Sequence, residues 1–290
     1  MKYPGIVLLK EEGHAVSNCC KLLEITTSSF YEWKSGKSEK KSKDGVLKAK
    51  ILEIFGDSKE TYGSPRITRQ LARDGERVGK DRVARLMKEE GLSARRKKAF
   101  RPTTTITDKN DKKSERIFKI EETTVERQNQ VWASDLTYIP TDEGFVYLTV
   151  VEDLFNRQIV GWDLSNTMEA ENTKNALVNA FRTVSGNLEG LVFHSDQGVQ
   201  YCSEAVREKL KIVKITQSMS RRGNCYDNAY VESFFHTLKN ELQKKKFRNL
   251  AEAMKEIFAY IEGWYNTKRM HSSLGYLSPV EYAEQNRHVA

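Results

Sequence analysis

The stretch QVWASDLTYIPT (130–141), followed by FVYLTVVEDLF (145–155) and RQIVGWDLS (157–165), decides the fold. All three segments are rich in β-branched and aromatic residues, and only short turns separate them. The pattern predicts three consecutive antiparallel strands, the first two joined by an Asp-Glu-Gly turn.

Apolar periodicity predicts alternating helices and strands behind this meander. In chain order they are a helix, a strand, a helix, a strand and two further helices, over 170–184, 191–196, 204–213, 214–219, 229–242 and 250–266. Such an order predicts an α/β fold of the ribonuclease-H-like class, with a mixed five-stranded sheet and flanking helices. Small all-α helix-turn-helix modules are expected to precede it.

The chain is long enough for one sizeable domain with smaller ones beside it. Patches of helical periodicity and polar stretches divide it into six predicted segments. They are a helical, DNA-binding-like unit (1–36), a linker (37–45), a helix-turn-helix domain (46–98), a basic linker (99–127), a ribonuclease-H-like catalytic core (128–245) and a C-terminal helix and tail packed on that core (246–290).

Positive charge is concentrated in the first 120 residues, whereas the rest of the chain is slightly acidic, and the net charge is +8. Each phosphate neutralised by a lysine or arginine releases condensed counterions, so a basic segment of this kind favours nucleic acid as partner. An ordinary solvated basic surface is the alternative. The candidate DNA contacts are Lys80, Arg82, Arg85 and Lys88 on the last predicted helix of the helix-turn-helix domain, and Arg95, Arg96, Lys97 and Lys98 behind it.

The composition also excludes several classes of protein. The N-terminus has too short an apolar run for a signal peptide, and no stretch approaches the roughly 18 apolar residues of a membrane span. The four cysteines are too scattered for a disulfide framework, and no histidine or cysteine pair has zinc-ligand spacing. We therefore expect a cytoplasmic, nucleoid-associated protein with free thiols and no membrane partner.

Three carboxylates occupy positions that need an explanation. Asp135 lies within a predicted strand, where burial of a charge requires a compensating partner. Asp196 follows an apolar strand at its carboxyl end, where ligand sites of open α/β sheets collect. Glu232 lies on a helix opposite an apolar stripe, on the same side as His236 and Lys239. Taken alone, that helix side would be an ordinary solvated surface.

Sixty residues separate the first two carboxylates, and thirty-five separate the last two. With this spacing, five ordered blocks make the chain resemble the DDE integrase and transposase superfamily. The blocks are WASDLTYI (132–139), VEDLFNRQIVGW (151–162), HSDQGVQY (194–201), DNAYVESFFHTLKNEL (227–242) and YNTKRMHSSLGYLSPVEY (265–282). More closely, the chain resembles the second-reading-frame transposases of the bacterial insertion sequences called the IS-three family. YGSPRITRQL (62–71) and RVARLMKEEGL (82–92) resemble the helix-turn-helix that precedes the catalytic core in that family.

This resemblance implies a metal-dependent DNA transposase. Asp135, Asp196 and Glu232 would hold two Mg²⁺ ions, for which Mn²⁺ could substitute. The nucleophile would be water in strand cleavage and a DNA 3′-OH in strand transfer. The expected partners are the terminal inverted repeats, the target DNA, a second copy or a larger assembly, and the product of the upstream reading frame.

The resemblance also implies a contact between Lys239 and terminal DNA. Weaker candidates for strand contact are Arg221 and Arg222, and the supporting candidates are His194, Thr137, Gln200 and Asn228. Structural roles compete with functional ones at several positions. At His194 a structural, hydrogen-bonded histidine is at least as expected as a substrate contact. Asp153 is expected to cap local structure, and Gly198 and Gln200 are expected to shape a turn. Aromatic packing is expected around Tyr265, Asn266, Arg269 and His271.

Two other functions remain open from the sequence. The first is a DNA-binding regulator, such as a domesticated transposase with a catalytically weak core. The second is a nuclease or resolvase that cleaves DNA without joining it.

Overall fold

The structure is a computed structural model that describes residues 2–35, 37–95, 114–119, 122–184, 188–220, 229–242, 244 and 246–286, with the backbone alone for 37–42. Contacts divide the chain into two compact units, Met1–Ala94 and Arg95–Ala290. In the described part no helix is long and apolar enough to cross a membrane.

The first unit begins with three short helices, α1 (Lys2–Glu11), α2 (Val16–Leu22) and α3 (Thr27–Lys34). They agree with the helical character predicted for residues 1–36. The side chain of Thr26 caps α3 by accepting a hydrogen bond from the backbone N–H of Ser29. Their small core consists of Ile6, Cys19, Cys20 and Phe30. Cys19, Cys20 and Cys202 are free and buried as expected, and Cys225 lies outside the described residues.

The prediction of a linker over 37–45 is wrong. These residues form the first part of α4 (Lys37–Asp57), which is continuous through the apolar segment behind them. Lysine and glutamate are good helix formers even where no apolar residue is buried. Asp44 also accepts hydrogen bonds from Arg82 (2.5 Å) and Arg85 (2.8 Å), partners that local sequence does not reveal.

The helix-turn-helix is formed by α5 (Ser64–Arg73) and α6 (Lys80–Glu89), as predicted. The turn between them needs Gly75, whose φ of +86° is unfavourable for residues with a Cβ. Both helices pack on α4 through a core that contains Ile51, Ile67, Leu71, Val83 and Leu86. Lys80, Arg85 and Lys88 are exposed on α6, and Arg82 is half-buried.

The second unit is built on a five-stranded sheet of order β3-β2-β1-β4-β5. The strands are β1 (Val131–Thr141), β2 (Gly144–Asp153), β3 (Ile159–Ser165), β4 (Val192–Ser195) and β5 (Thr216–Met219). The first three pair antiparallel as a meander, whereas β4 lies parallel to both β1 and β5. This is the mixed, ribonuclease-H-like sheet that the sequence predicts.

Helices flank this sheet. They are α7 (Ala170–Thr183), α8 (Val199–Cys202), α9 (Glu204–Ile212), α10 (Ala229–Glu241), α11 (Leu250–Tyr260) and α12 (Pro279–Gln285). Helices α7 and α9 share a core with Trp132 and Phe193 of the sheet. At Gly161 of β3 a Cβ would lie 2.2 Å from a backbone oxygen of α7, so only glycine allows this close packing. The helix predicted over 250–266 is α-helical to Tyr260 and continues as a π-helical turn, Ile261–Tyr265.

Candidate active site

The register of β1 and β4 brings Asp135 and Asp196 together. Ser134 pairs with Ser195 in the parallel ladder, Asp135 is the next residue on β1, and Asp196 directly follows the end of β4. Paired residues of adjacent strands project to the same side of a sheet, and neighbouring strands lie only about 4.8 Å apart. The two aspartates are therefore side by side, although sixty residues separate them in the chain.

Both aspartates are half-buried and held by backbone donors. The backbone N–H of Leu136 donates to Asp135 (2.8 Å), and that of Gly198 donates to Asp196 (2.9 Å). Burial raises the pKa of Asp135 well above its usual range, and the negative charge of Asp196 adds to the rise. Glu232 contributes a smaller rise to the pKa of Asp135, so both other predicted carboxylates act electrostatically on Asp135.

Glu232 lies on the first turn of α10, which packs against β1. Its predicted apolar stripe is confirmed, because Val231, Phe234, Phe235, Leu238 and Leu242 are all buried. The carboxylate itself is on the exposed side. Among the described residues, no three acidic, histidine or cysteine side chains lie close enough to share one metal ion. The side chains thus converge without forming a closed three-ligand set.

Lys239 lies two turns after Glu232 on the same side of α10. Its Nζ donates to Oγ1 of Thr137 (2.6 Å) and lies 5.0 Å from the centre of the Tyr138 ring. Burial lowers the pKa of Lys239, and the charge of Asp135 opposes this. Because Thr137 and Asp135 are two residues apart on β1, they share one side of the sheet with the lysine.

Comparison with known proteins gives three matches to family profiles. An "HTH-like domain" matches residues 41–100, and two profiles described as "Integrase core domain" match residues 125–225 and 213–279. The transposase InsF for insertion sequence IS3A of Escherichia coli is 34% identical over 290 residues, covering 99% of each chain. The chain belongs to the IS-three family of insertion-sequence transposases.

Other relatives agree with this family. The transposase for insertion sequence element IS904 of Lactococcus lactis is 41% identical, covering 83% of this chain and 94% of the relative. A 31 kDa protein of insertion element IS600 of Shigella sonnei, described as uncharacterized, is 39% identical over 93% of this chain and 99% of its own. Among solved structures, the catalytic core domain of HTLV-2 integrase in complex with magnesium is 16% identical, with a TM-score of 0.42, covering 54% of this chain and 97% of that chain. Because the family is shown by the sequence relatives, the chain is a transposase that acts on DNA at insertion sequences, with polynucleotidyl transferase activity.

Beneath the two aspartates the transposase has a buried Tyr201, which sequence reasoning did not single out. Its hydroxyl lies 3.0 Å from Oγ of Ser134, which donates to the backbone oxygen of Val150 (2.8 Å). Burial raises the pKa of Tyr201, and the charges of Asp135 and Asp196 add to this. Its position at the end of the motif HSDQGVQY was the available signal.

The supporting candidates have structural contacts in the transposase. His194 is fully buried, its Nδ1 lies 3.0 Å from Oγ of Ser218, and Phe118 packs edge-on against its ring. Gln200 is buried in α8, and a Cβ at Gly198 would lie 2.5 Å from the flexible end of its side chain. Asn228 lies outside the described residues.

The predicted DNA contacts are only partly described. Arg82 and Arg85 are engaged by Asp44, and Arg85 also pairs with Glu89. The remaining exposed candidates are Lys80, Lys88 and Arg95, whereas Arg96, Lys97, Lys98, Arg221 and Arg222 lie outside the described residues.

At the far end of α10, Glu241 is the centre of a buried polar network that the sequence did not indicate. It accepts a hydrogen bond from the Tyr260 hydroxyl (3.0 Å), another from Trp264 Nε1 (3.3 Å) and a two-point contact from Arg269 (Nε, 2.9 Å; Nη2, 2.8 Å). The expected aromatic packing is present as well, since Tyr265 packs edge-on against His271.

Asn266 and Asp153 also have structural roles. The side chain of Asn266 bonds both the backbone N–H and the backbone oxygen of Ile159, each at 3.0 Å. Asp153 accepts hydrogen bonds from the backbone N–H groups of Asn129 and Phe155, which is the capping role expected of it.

Proposed function

We propose that Asp135, Asp196 and Glu232 are the catalytic carboxylates of this transposase, and that they hold two Mg²⁺ or Mn²⁺ ions for DNA cleavage and strand transfer. The observation that carries the proposal is the like-charged pair, Asp135 and Asp196, on neighbouring parallel strands. Two carboxylates so close together in a half-buried position are unfavourable without a compensating cation.

The chemistry of the donors fits magnesium. All the proposed ligands are hard carboxylate oxygens, and the backbone hydrogen bonds to Asp135 and Asp196 fix those two side chains. Glu232 is exposed, so rotation about its side-chain torsions is sterically open. We propose that this rotation completes the set of ligands when the metal ions bind. The bound ions would supply charge neutralisation at the scissile phosphate and activation of the attacking oxygen.

The residues around the carboxylates would position the DNA. Lys239 presents an ammonium group on the side of α10 that carries Glu232, where it would neutralise a phosphate of the terminal strand. Its bond to Thr137 holds that charge beside β1 in the absence of DNA. Arg221 and Arg222 are proposed as further strand contacts. Lys80, Lys88, Arg95 and the basic residues up to Lys98 are proposed to contact terminal-repeat DNA, with Arg82 and Arg85 available once DNA competes with Asp44.

The proposed partners follow from the reaction. Transposition joins two element ends to a target, so two active sites brought together in a homodimer or a larger assembly are expected. The upstream-frame product is proposed as a fusion or partner that adds DNA-binding segments. We propose a cytoplasmic location, on the nucleoid.

The decisive experiment compares Asp135→Asn with wild type in Mg²⁺-dependent nicking of a terminal-repeat duplex. Removing one carboxylate should reduce nicking by on the order of 10³-fold or more, with end-DNA binding nearly unchanged. Asp163→Asn is the matched control, because Asp163 lies on β3, at the edge of the same sheet, and should nick like wild type.

Each rival function gives a different result. Equal nicking by Asp135→Asn and wild type would refute the site. Absence of nicking by wild type, with retained DNA binding, would favour the regulator. Nicking without strand transfer from a pre-cut donor end would favour a nuclease or resolvase.

A further inference from the structure

Arg157 has an unusual backbone conformation in the turn between β2 and β3. Its φ is +65°, in the left-handed region that residues with a Cβ rarely adopt. The turn is closed by hydrogen bonds from the N–H of Arg157 to the oxygen of Asp153 (2.8 Å) and from the N–H of Asp153 to the oxygen of Gln158 (2.9 Å). A conformation of this kind persists only where its surroundings stabilise it, and it often marks a functional position.

The side chain of Arg157 connects two elements of the second unit. Its guanidinium carbon lies 3.6 Å from the centre of the Tyr230 ring, on the first turn of α10. On the sheet side, Nη1 lies 3.8 Å from Oε1 of Glu152, which is 1% exposed. The arginine is mostly shielded as well, with 19% of its side chain accessible. A shielded cation over an aromatic face is more strongly attracted than an exposed one.

We propose that Arg157 is a positioning residue for the catalytic helix, through a cation–π contact with Tyr230 that fixes the N-terminal turn of α10 over the sheet and so sets the location of Glu232. This rests on the proposed function, in which Glu232 is a metal ligand. Arg157 touches neither metal nor DNA in this proposal, and it acts through Tyr230.

The geometry explains why such a contact is needed. The buried stripe, which includes Val231, Phe234 and Leu238, holds one side of α10, and Tyr230 is the residue of the first turn that contacts Arg157. Two residues along a helix are about 200° apart around its axis, so Tyr230 packs on Arg157 while Glu232 projects away from that contact. The carboxylate is thereby left accessible while the backbone that carries it is fixed.

Glu152 explains why the arginine is stable in this position. Within the described residues its Oε2 has no hydrogen-bond partner, so Arg157 is the cation that offsets its buried charge. Truncation of Arg157 would leave Glu152 without that charge and would disturb folding in addition to positioning. Substitutions at Tyr230 separate the two effects, because they leave the contact between Arg157 and Glu152 intact.

The test uses the full chain and compares Tyr230→Leu, Tyr230→Phe and Arg157→Lys with wild type. Calorimetric titration with Mg²⁺ alone measures metal affinity, and nicking of a terminal-repeat duplex is followed against Mg²⁺ concentration. Tyr230→Leu removes the ring face and should weaken Mg²⁺ binding by roughly 3- to 30-fold, the range of a partly desolvated cation–π contact. Nicking should need a matching increase in Mg²⁺, with an unchanged Kd for the DNA.

Tyr230→Phe is the matched control, because it keeps the ring and loses only the hydroxyl, and it should bind Mg²⁺ like wild type. Arg157→Lys keeps a cation over the ring and should fall between wild type and Tyr230→Leu. Mg²⁺ affinity of Tyr230→Leu equal to that of wild type would overturn the inference. So would an equal loss in Tyr230→Phe, because the ring face would then not be responsible.

Glu232→Gln distinguishes this inference from the proposed function. Wild-type Mg²⁺ affinity and nicking in Glu232→Gln would refute the assignment of Glu232 itself. Loss of both in Glu232→Gln, with a normal Tyr230→Leu, would refute only the positioning role of Arg157.

Discussion

Two carboxylate groups at opposite ends of α10 are stabilised in contrasting ways. Glu241, at the C-terminal end, is buried against Arg269, Tyr260 and Trp264, all of which donate hydrogen bonds to it. Near the N-terminal end Asp135 faces Asp196, and the largest effect of any neighbouring charge on its pKa comes from this like charge. At one end an arginine in direct contact supplies the counter-charge, whereas at the other the like charge of Asp196 outweighs the positive charge of Lys239.

This difference is the one expected between a structural carboxylate and a carboxylate that we propose to bind metal. A buried charge is tolerated when its partner is covalently part of the same chain, because the pair forms as the protein folds. A pair of repelling carboxylates persists only when the rest of the fold is stable enough to hold it, and a bound cation then relieves the repulsion. Substitutions should therefore have opposite effects on stability at the two ends.

The largest effect on stability is expected for Arg269→Met. Removing the cation leaves Glu241 buried without its ion pair, which should lower the free energy of unfolding by about 3–5 kcal/mol. Denaturant unfolding followed by tryptophan fluorescence reports on this unit, because Trp132, Trp162 and Trp264 all belong to it. Arg269→Met combined with Glu241→Leu should recover part of the loss. A loss below about 1 kcal/mol in the single variant would show that the network contributes little.

An intermediate effect on the free energy of unfolding is expected at Glu152, whose ion pair with Arg157 is long, at 3.8 Å. Burial raises the pKa of Glu152 from 4.5 to about 7. A carboxyl group whose pKa is higher in the folded than in the unfolded protein stabilises the fold in its protonated form. This stabilisation is fully present below the pKa of the unfolded state, and it is lost as the pH rises through the pKa of the folded state. Relative to Glu152→Gln, wild type should therefore lose on the order of 3 kcal/mol between pH 4.5 and pH 8.

Unfolding free energies of both proteins at pH 5, 6, 7 and 8 measure this difference. Other titrating groups cancel in the comparison, provided that they titrate alike in the two proteins. A constant difference across the range would mean that Glu152 ionises at an ordinary pKa.

A smaller effect, with the opposite sign to Arg269→Met, is expected for Asp135→Asn in metal-free buffer. The amide removes a charge that burial and Asp196 both disfavour, while its oxygen still accepts the hydrogen bond from Leu136. The Tm should rise by roughly 2–4 °C for each kcal/mol of repulsion relieved. Adding Mg²⁺ should stabilise wild type and leave the variant nearly unchanged. A lower Tm in Asp135→Asn without metal would place Asp135 with the structural carboxylates.

The sequence predicted the surroundings of Asp135 and Asp196 far better than those of Glu241. The meander, the strand before Asp196 and the apolar stripe opposite Glu232 are all local patterns, and each was confirmed. Glu241, Glu152 and the helical start of α4 were missed because their partners lie 28, 5 and about 40 residues away. Even the short separation at Glu152 spans a turn whose left-handed residue no local pattern indicates.

The smallest effect on stability is expected at Asp44 in the first unit, a carboxylate whose partners Arg82 and Arg85 are 37% and 47% exposed. Hydrogen bonds from Arg85, and then from Arg82, lower the pKa of Asp44. A carboxyl group whose pKa is lower in the folded than in the unfolded protein stabilises the fold in its ionised form. This stabilisation is present above the pKa of the unfolded state, and it is lost as the pH falls through the pKa of the folded state. Because solvent screens these ion pairs, Asp44→Asn should cost no more than about 1 kcal/mol.

Hydrogen exchange of the backbone amides of α4 measures this cost directly, because the pairs connect that helix to α6. The difference between wild type and Asp44→Asn should shrink in 1 M NaCl, and it should also shrink as the pH falls through the lowered pKa of Asp44. If Asp44→Asn lost as much unfolding free energy as Arg269→Met, and the loss persisted in salt, the charged partners alone would determine how much a carboxylate stabilises the fold, whatever its burial. The expected result is that burial sets the size of the effect, and the charge of the partner sets its sign.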